Sequence, residues 1–186
     1  MLLILFLHTF PFPVHAEKVN KKKAKKLEHG ARVAILPFEN MSGHFLDIDN
    51  IMKPLHQNFR KIFSLSYTDK VDEVIWQLRL RNTGYLSSRD ALEIGQRLGV
   101  EAVILGMICL YRETPEPDMG LIIKVIGTGG DTPILWSDCI NRSGDQTKSL
   151  FGINRINKID SLFEMVAREL VEEIYVDLIR KKDDSE

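Results

Sequence analysis

Between Arg32 and Gly43 the chain reads RVAILPFENMSG, and this stretch constrains the fold more than any other. Val33, Ala34, Ile35 and Leu36 form an unbroken apolar run of the length of a buried strand. Pro37 removes a backbone donor, and Phe38-Glu39-Asn40 leads into the turn formers Ser42 and Gly43. A first strand that ends in proline and a polar turn, then feeds a helix, opens an α/β sheet.

The rest of the chain continues that pattern. Asp47–Phe63 carries Ile48, Ile51, Leu55, Phe59 and Ile62 at steps of three and four, an amphipathic helix that Pro54 must kink or start. Ile62–Tyr67 alternates as a short edge strand, and Val71–Leu80 reads as a second helix. In Ser87–Leu98, Ser87 and Asp90 make a capping box and Gly99 supplies the stop. Val100–Tyr111 is the longest apolar strand and belongs at the centre of the sheet, where Gly106 marks a close approach by a packed helix. Met119–Ile126 and Ile134–Ile140 flank the turn Gly127–Asp131 as a β-hairpin. Ile159–Arg180 is a closing helix with Ser161 and Glu164 at its cap. The expected order is β-α-β-α-α-β-β-β-α: an α/β fold with a mixed sheet of about five strands and helices mainly on one side.

The 186 residues suffice for one such domain with a leader and tails. Residues 1–16, MLLILFLHTFPFPVHA, are uncharged and apolar and end in a small-x-small pattern at Val14 and Ala16, which is expected to act as a signal peptide. No cysteine follows as a lipid-anchor site. Residues 17–30 form a lysine-rich linker, with six lysines against Glu17 and Glu28 in a chain of formal net charge −1. Such a block is normally solvated, but Lys18–Lys26 could also touch an anionic membrane surface. The folded part, residues 31–180, is then mildly acidic, which argues against nucleic acid as a partner. Residues 181–186 are a charged tail.

No catalytic or metal motif is written in the chain. Gly127–Asp131 lacks the lysine and the following helix of a phosphate loop. Asp47-Ile48-Asp49-Asn50 fails as a calcium loop at Ile51 and Met52. His29, His44 and His56 form no ligand pair, and no serine sits in a nucleophile elbow. The expectation is therefore no enzyme and no cofactor. Cys109 and Cys139 permit one disulfide in an oxidising compartment, but are more simply read as small strand residues packed in a core.

The opening RVAILPFENMSG resembles that of the domain shared by the TolB amino-terminal region and the curli-secretion CsgG-like proteins. YLSSRDALEIGQRLGVEAVILGMICLY (Tyr85–Tyr111), LIIKVIGTGGDTPILWSD (Leu121–Asp138), Phe151-Gly152 and Ser161–Val171 are similar to the later segments of that plan, in the same order. The resemblance implies an α/β sandwich in an exported bacterial envelope protein. Long membrane-crossing hairpins like those of the CsgG pore are not written here, and no propeller follows as in TolB. A stand-alone, non-enzymatic adaptor in the periplasm, associated with an outer-membrane or secretion complex, is the expectation.

Its binding surface is expected at the free face of the sheet or at the loops Phe38–Phe45 and Asn141–Asn157, since polar loops beside a rigid strand end commonly carry function. The candidate binding residues are Phe38, Asn40, Ser42, Gly43, Phe151 and Gly152. For Phe38 and Asn40 the structural alternative is that Phe38 packs and Asn40 bonds the turn backbone. A self-assembling ring subunit is the rival reading. A small-molecule binder is the third, marked by a deep pocket with converging polar groups, which is not expected.

Overall fold

Strand β1 (Arg32–Ile35) buries Val33, Ala34 and Ile35, alternately on opposite faces, and Leu36 after them is fully buried too. A strand that is apolar on both sides needs a layer on each. In the computed structural model, which describes residues 27–114, 116–145 and 155–179, it has both. The leader 1–16, the linker up to residue 26, Phe151, Gly152 and the tail 181–186 lie outside the described residues.

The remaining elements are β2 (Glu39–Asn40), α1 (Ile48–Phe59), β3 (Ser64–Leu65), α2 (Thr68–Gln77), α3 (Ser88–Leu98), β4 (Ala102–Arg112), β5 (Asp118–Gly127), β6 (Ile134–Ser143) and α4 (Ile159–Ile174), which ends in a π-helical turn over Tyr175–Ile179. The sheet runs β3-β1-β4-β5-β6, with β2 continuing beside β4. The pairings of β1 with β3 and of β1 and β2 with β4 are parallel, while β4-β5-β6 is antiparallel. Apart from the two-residue β2, this is the expected order.

The expectation of helices mainly on one side does not hold. Helices α1 and α4 cover one face through Leu55, Phe59, Leu162, Val166 and Leu170 against Val33, Ile104, Leu121 and Ile123. Helices α2 and α3 cover part of the other through Val71, Val74, Ala91 and Ile94 against Ala34, Leu36, Val103 and Leu105. The second layer reaches β1, the first half of β4 and Ile126 of β5; among the described residues nothing covers this face over Cys109, Leu110 and Cys139, toward the far ends of β4 and β6.

Local chemistry sets the element ends. Ser87 Oγ accepts from the Asp90 N–H at 3.1 Å and Gly99 closes α3 in the left-handed region at φ +63°. Pro54 lies inside α1 and does not start it; Asp47 caps the helix through the Asn50 N–H. At α4 the cap is Lys158, with no side-chain bond, so the expected Ser161–Glu164 cap is not formed. The core begins before the expected boundary at residue 31, because Leu27 is already buried and the Gly30 N–H bonds Ile62 O.

Candidate functional site

The loop that follows β1 is built around two side chains. Phe38 is 3% exposed and lies over β4, where a Cβ on Gly106 would meet its ring at 2.6 Å. Gly106 thus accommodates an aromatic ring, not a helix. Asn40 holds the turn: its Nδ2 donates to His44 O at 2.7 Å, and its Oδ1 accepts from Ser42 N–H at 3.1 Å and Ser42 Oγ at 2.7 Å. The His44 N–H donates to Ser42 Oγ at 3.3 Å, and Gly43 turns the chain at φ +77°. The Met41 N–H donates to Ile108 O, which fastens the loop to β4.

A second loop is tied to the first. The Gly84 N–H donates to Glu39 Oε2 at 3.2 Å and to Asn82 Oδ1 at 2.9 Å, and the Tyr85 N–H also reaches Asn82 Oδ1. A Cβ there would lie 2.5 Å from Met107 Cγ and 2.6 Å from Glu39 Oε2, so a side chain at this position would displace both.

The two tied loops carry exposed apolar side chains. Phe45 is fully exposed, Met41 is 59% and Tyr85 69% exposed, and Leu110 on β4 is partly so. Single exposed apolar residues are ordinary; several on two tied loops beside an open sheet face are not. The expected residues Phe38, Asn40, Ser42 and Gly43 therefore come together as the frame of the loop, and Met41 and Phe45 are what it presents.

Cys109 and Cys139 are free and exposed on that same face, neither packed in a core nor bonded. Strand β5 lies between their strands, a separation of roughly 9–10 Å, beyond disulfide reach.

Elsewhere, a groove of about 490 Å³ between β6 and the end of α4 is lined by Asp138, Glu172, Glu173 and Asp177. Burial first, then Asp138, pushes the Glu173 carboxyl up against the opposing pull of Arg142. A raised folded-state value contributes stability at low pH that is lost as pH rises through it. Glu173→Gln is accordingly expected to raise Tm slightly at pH 7, with the gain vanishing below about pH 4, which thermal melts at the two pH values would check. A cleft of about 390 Å³ between α1 and α4 contains Tyr111, whose hydroxyl donates to Glu113 Oε1 at 2.8 Å and is pushed up to about 12, chiefly by burial. A third cavity, of about 210 Å³ at the start of α3, is lined by Leu86, Ser87, Ser88, Leu105, Lys124 and Thr132. Among the described residues no three side chains are placed to hold a metal ion, and no helix is long and apolar enough to cross a membrane.

No protein-family model matches the chain, and no curated protein matches it by sequence. Solved structures do share its fold. The CT253 protein of Chlamydia trachomatis is 13% identical with a TM-score of 0.55, over 80% of this chain and 98% of that one. The lipoprotein GNA1162 of Neisseria meningitidis is 14% identical at a TM-score of 0.52, over 78% and 99%. PelC of Paraburkholderia phytofirmans, solved as a dodecamer, is 14% identical at 0.50, over 84% and 93%. At these identities the likeness establishes the fold.

Proposed function

We propose that the chain is a non-enzymatic protein-binding module of the bacterial cell envelope, related to the TolB amino-terminal and CsgG-like domains. In this reading it is exported through residues 1–16, works in the periplasm and docks on an outer-membrane-associated or secretion complex. The observation that carries the reading is the presentation of Met41, Phe45 and Tyr85 by two loops whose backbones are bonded to β2 and β4. Ordering costs of an interface are small when the scaffold already fixes its loops, and exposed aromatic and methionine side chains are the kind that anchor protein contacts. The fold shared with a Neisseria lipoprotein supports the envelope setting.

Photo-crosslinking tests this. A benzophenone amino acid at position 45 is expected to give a discrete adduct with a membrane-complex protein in envelope extracts. At position 76 it is expected to give none. Trp76 is 80% exposed but sits at the opposite end of the sheet, beside Gln77, which bonds Arg97 in the last turn of α3. Equal labelling from both positions would remove the site.

The rival is a self-assembling ring subunit, favoured by the dodecamer of the same fold. Against assembly through the free β6 edge, the Cys139 N–H is taken by Asp138 Oδ1 and Asn141 O by Arg142 Nη1, so side chains cover part of that edge. A sizing run on residues 17–186 separates the two: a monomer supports the adaptor, a closed oligomer the ring.

A further inference from the structure

Strand β6 and helix α4 meet along a seam held at two points. Arg142 Nε donates to Glu169 Oε2 at 2.9 Å, and Trp136 Nε1 donates to Asp177 Oδ2 at 3.1 Å. Ile140, between them on the strand, is buried in the core, so the even-numbered residues of β6 face the helix. On α4 and the turn that follows it, Glu169, Glu173 and Asp177 recur every four residues and share one stripe. Glu173, midway between the two bonds, lies across the groove of about 490 Å³ from Asp138, and both line it. The outer rungs of this ladder join a donor to an acceptor, while the middle one sets carboxylate against carboxylate.

The surroundings of Glu173 do not neutralise that rung. Among the described residues, the other charged groups acting on it are Arg142 from the strand and Glu169 and Asp177 from its own stripe, and Glu172 lines the same groove. Arg142 is engaged with Glu169, and the last turn of α4 carries no basic residue, so the negative end of the helix adds to the repulsion. Burial first, then Asp138, holds the Glu173 carboxyl above its ordinary value.

We propose that the β6–α4 seam is a proton-operated latch on the end of α4. A proton taken from solvent by Glu173 is donated in a hydrogen bond to Asp138 and closes the middle rung. Asp138 Oδ1 already accepts the Cys139 N–H at 2.7 Å, which leaves Oδ2 as the acceptor. Loss of that proton sets the two carboxylates against each other and loosens the seam. The loosening falls on the side of the Trp136–Asp177 bond, since the Arg142–Glu169 pair has charge on both partners and is the stronger clasp. Ile174 and Leu178 remain anchored in the core, so the latch sets how firmly the turn Tyr175–Ile179 is held and not whether the helix forms. Because the folded value is raised, the closed rung contributes fully below the ordinary glutamate value of about 4.3 and is lost as pH rises through the folded one. None of these residues belongs to the Met41–Phe45–Tyr85 surface, and the latch does not depend on a partner docking there.

The test is amide hydrogen exchange of the purified chain from about pH 7.5 to about pH 4.5, corrected for the intrinsic rate at each pH, with α1 as internal reference. Protection of residues 172–178 is expected to rise about threefold to tenfold relative to α1 on acidification, and the Trp136 indole N–H to exchange more slowly over the same range. Glu173→Gln, which keeps the shape and removes the charge, should hold the high protection at about pH 7.5 and flatten the profile. Asp138→Lys makes the middle rung an ion pair and should reverse the profile, with protection falling on acidification. Asp138→Asn, which keeps the acceptor for the Cys139 N–H, should raise protection at about pH 7.5 and serves in its place if melts show the lysine variant unfolded. A parent profile that does not change relative to α1 would overturn the latch. So would a Glu173→Gln profile as steep as the parent's, or a folded Asp138→Lys variant whose profile keeps the parent's sign.

Discussion

A Phe38→Ala variant is expected to lose about 3–5 kcal/mol of folding stability, a fall in Tm on the order of 10 °C. Phe38 is 3% exposed and its ring fills the space left by the missing side chain of Gly106. Strands β1 and β2 both pair with β4 around that point, so the walls cannot close on the void. The cost therefore includes a cavity as well as lost apolar transfer. Phe45→Ala, seven residues on, is expected to change stability by less than about 0.5 kcal/mol, because Phe45 is fully exposed. Thermal melts of the two variants, side by side, check the contrast. Similar losses from both would mean that the loop does not divide into a buried frame and an exposed contact.

The second large effect concerns binding. Replacing Met41, Phe45 and Tyr85 together by serine is expected to weaken capture of the partner at least about a hundredfold, since anchors of this kind each contribute roughly 1–2 kcal/mol. Because all three are largely exposed, the melting curve should stay within a few degrees of the parent chain. Quantitative recovery of the partner by immobilised parent and variant, from one extract, is the check. Undiminished recovery by a folded variant would mean that the partner sits elsewhere. Asn40→Ala provides a subtler version: it removes the bonds to His44 O and Ser42 while leaving every contact side chain in place. It should weaken binding by loosening the loop, with about 1 kcal/mol lost in stability.

Much of the architecture was legible in the sequence. The run Val33–Leu36, the capped helix ending at Gly99 and the hairpin around Gly127–Asp131 each carry their own local signal, and each formed close to where it was read. What failed was what depends on distant partners. The sharing of helices between both faces follows from the burial of both Val33 and Ala34 in β1, but an apolar run does not say which helix covers which side. The cap of α4 went to Lys158 because the helix begins before Ser161. Cys109 and Cys139 looked like core residues because strands usually bury them; they are exposed because α2 and α3 stop short of that half of the sheet.

At the site the loop Phe38–Phe45 was legible and the roles within it were only half so. Phe38 and Asn40 follow their structural alternative, one packed and one holding the turn. Phe45 could not be told from Phe38 by type, since which aromatic is buried depends on Gly106, far along the chain. Tyr85 joins the patch through a bond between Gly84 and Glu39, 45 residues apart in sequence.

The most direct measurement is hydrogen–deuterium exchange of the purified chain, alone and with its crosslinked partner. Slowed exchange concentrated at residues 39–46, 82–86 and 107–110 is the predicted result, since these backbones form the two tied loops and the strand beneath them. Protection confined to α1 and α4, with those three segments unchanged, would contradict the assignment of the partner to the Met41–Phe45–Tyr85 surface.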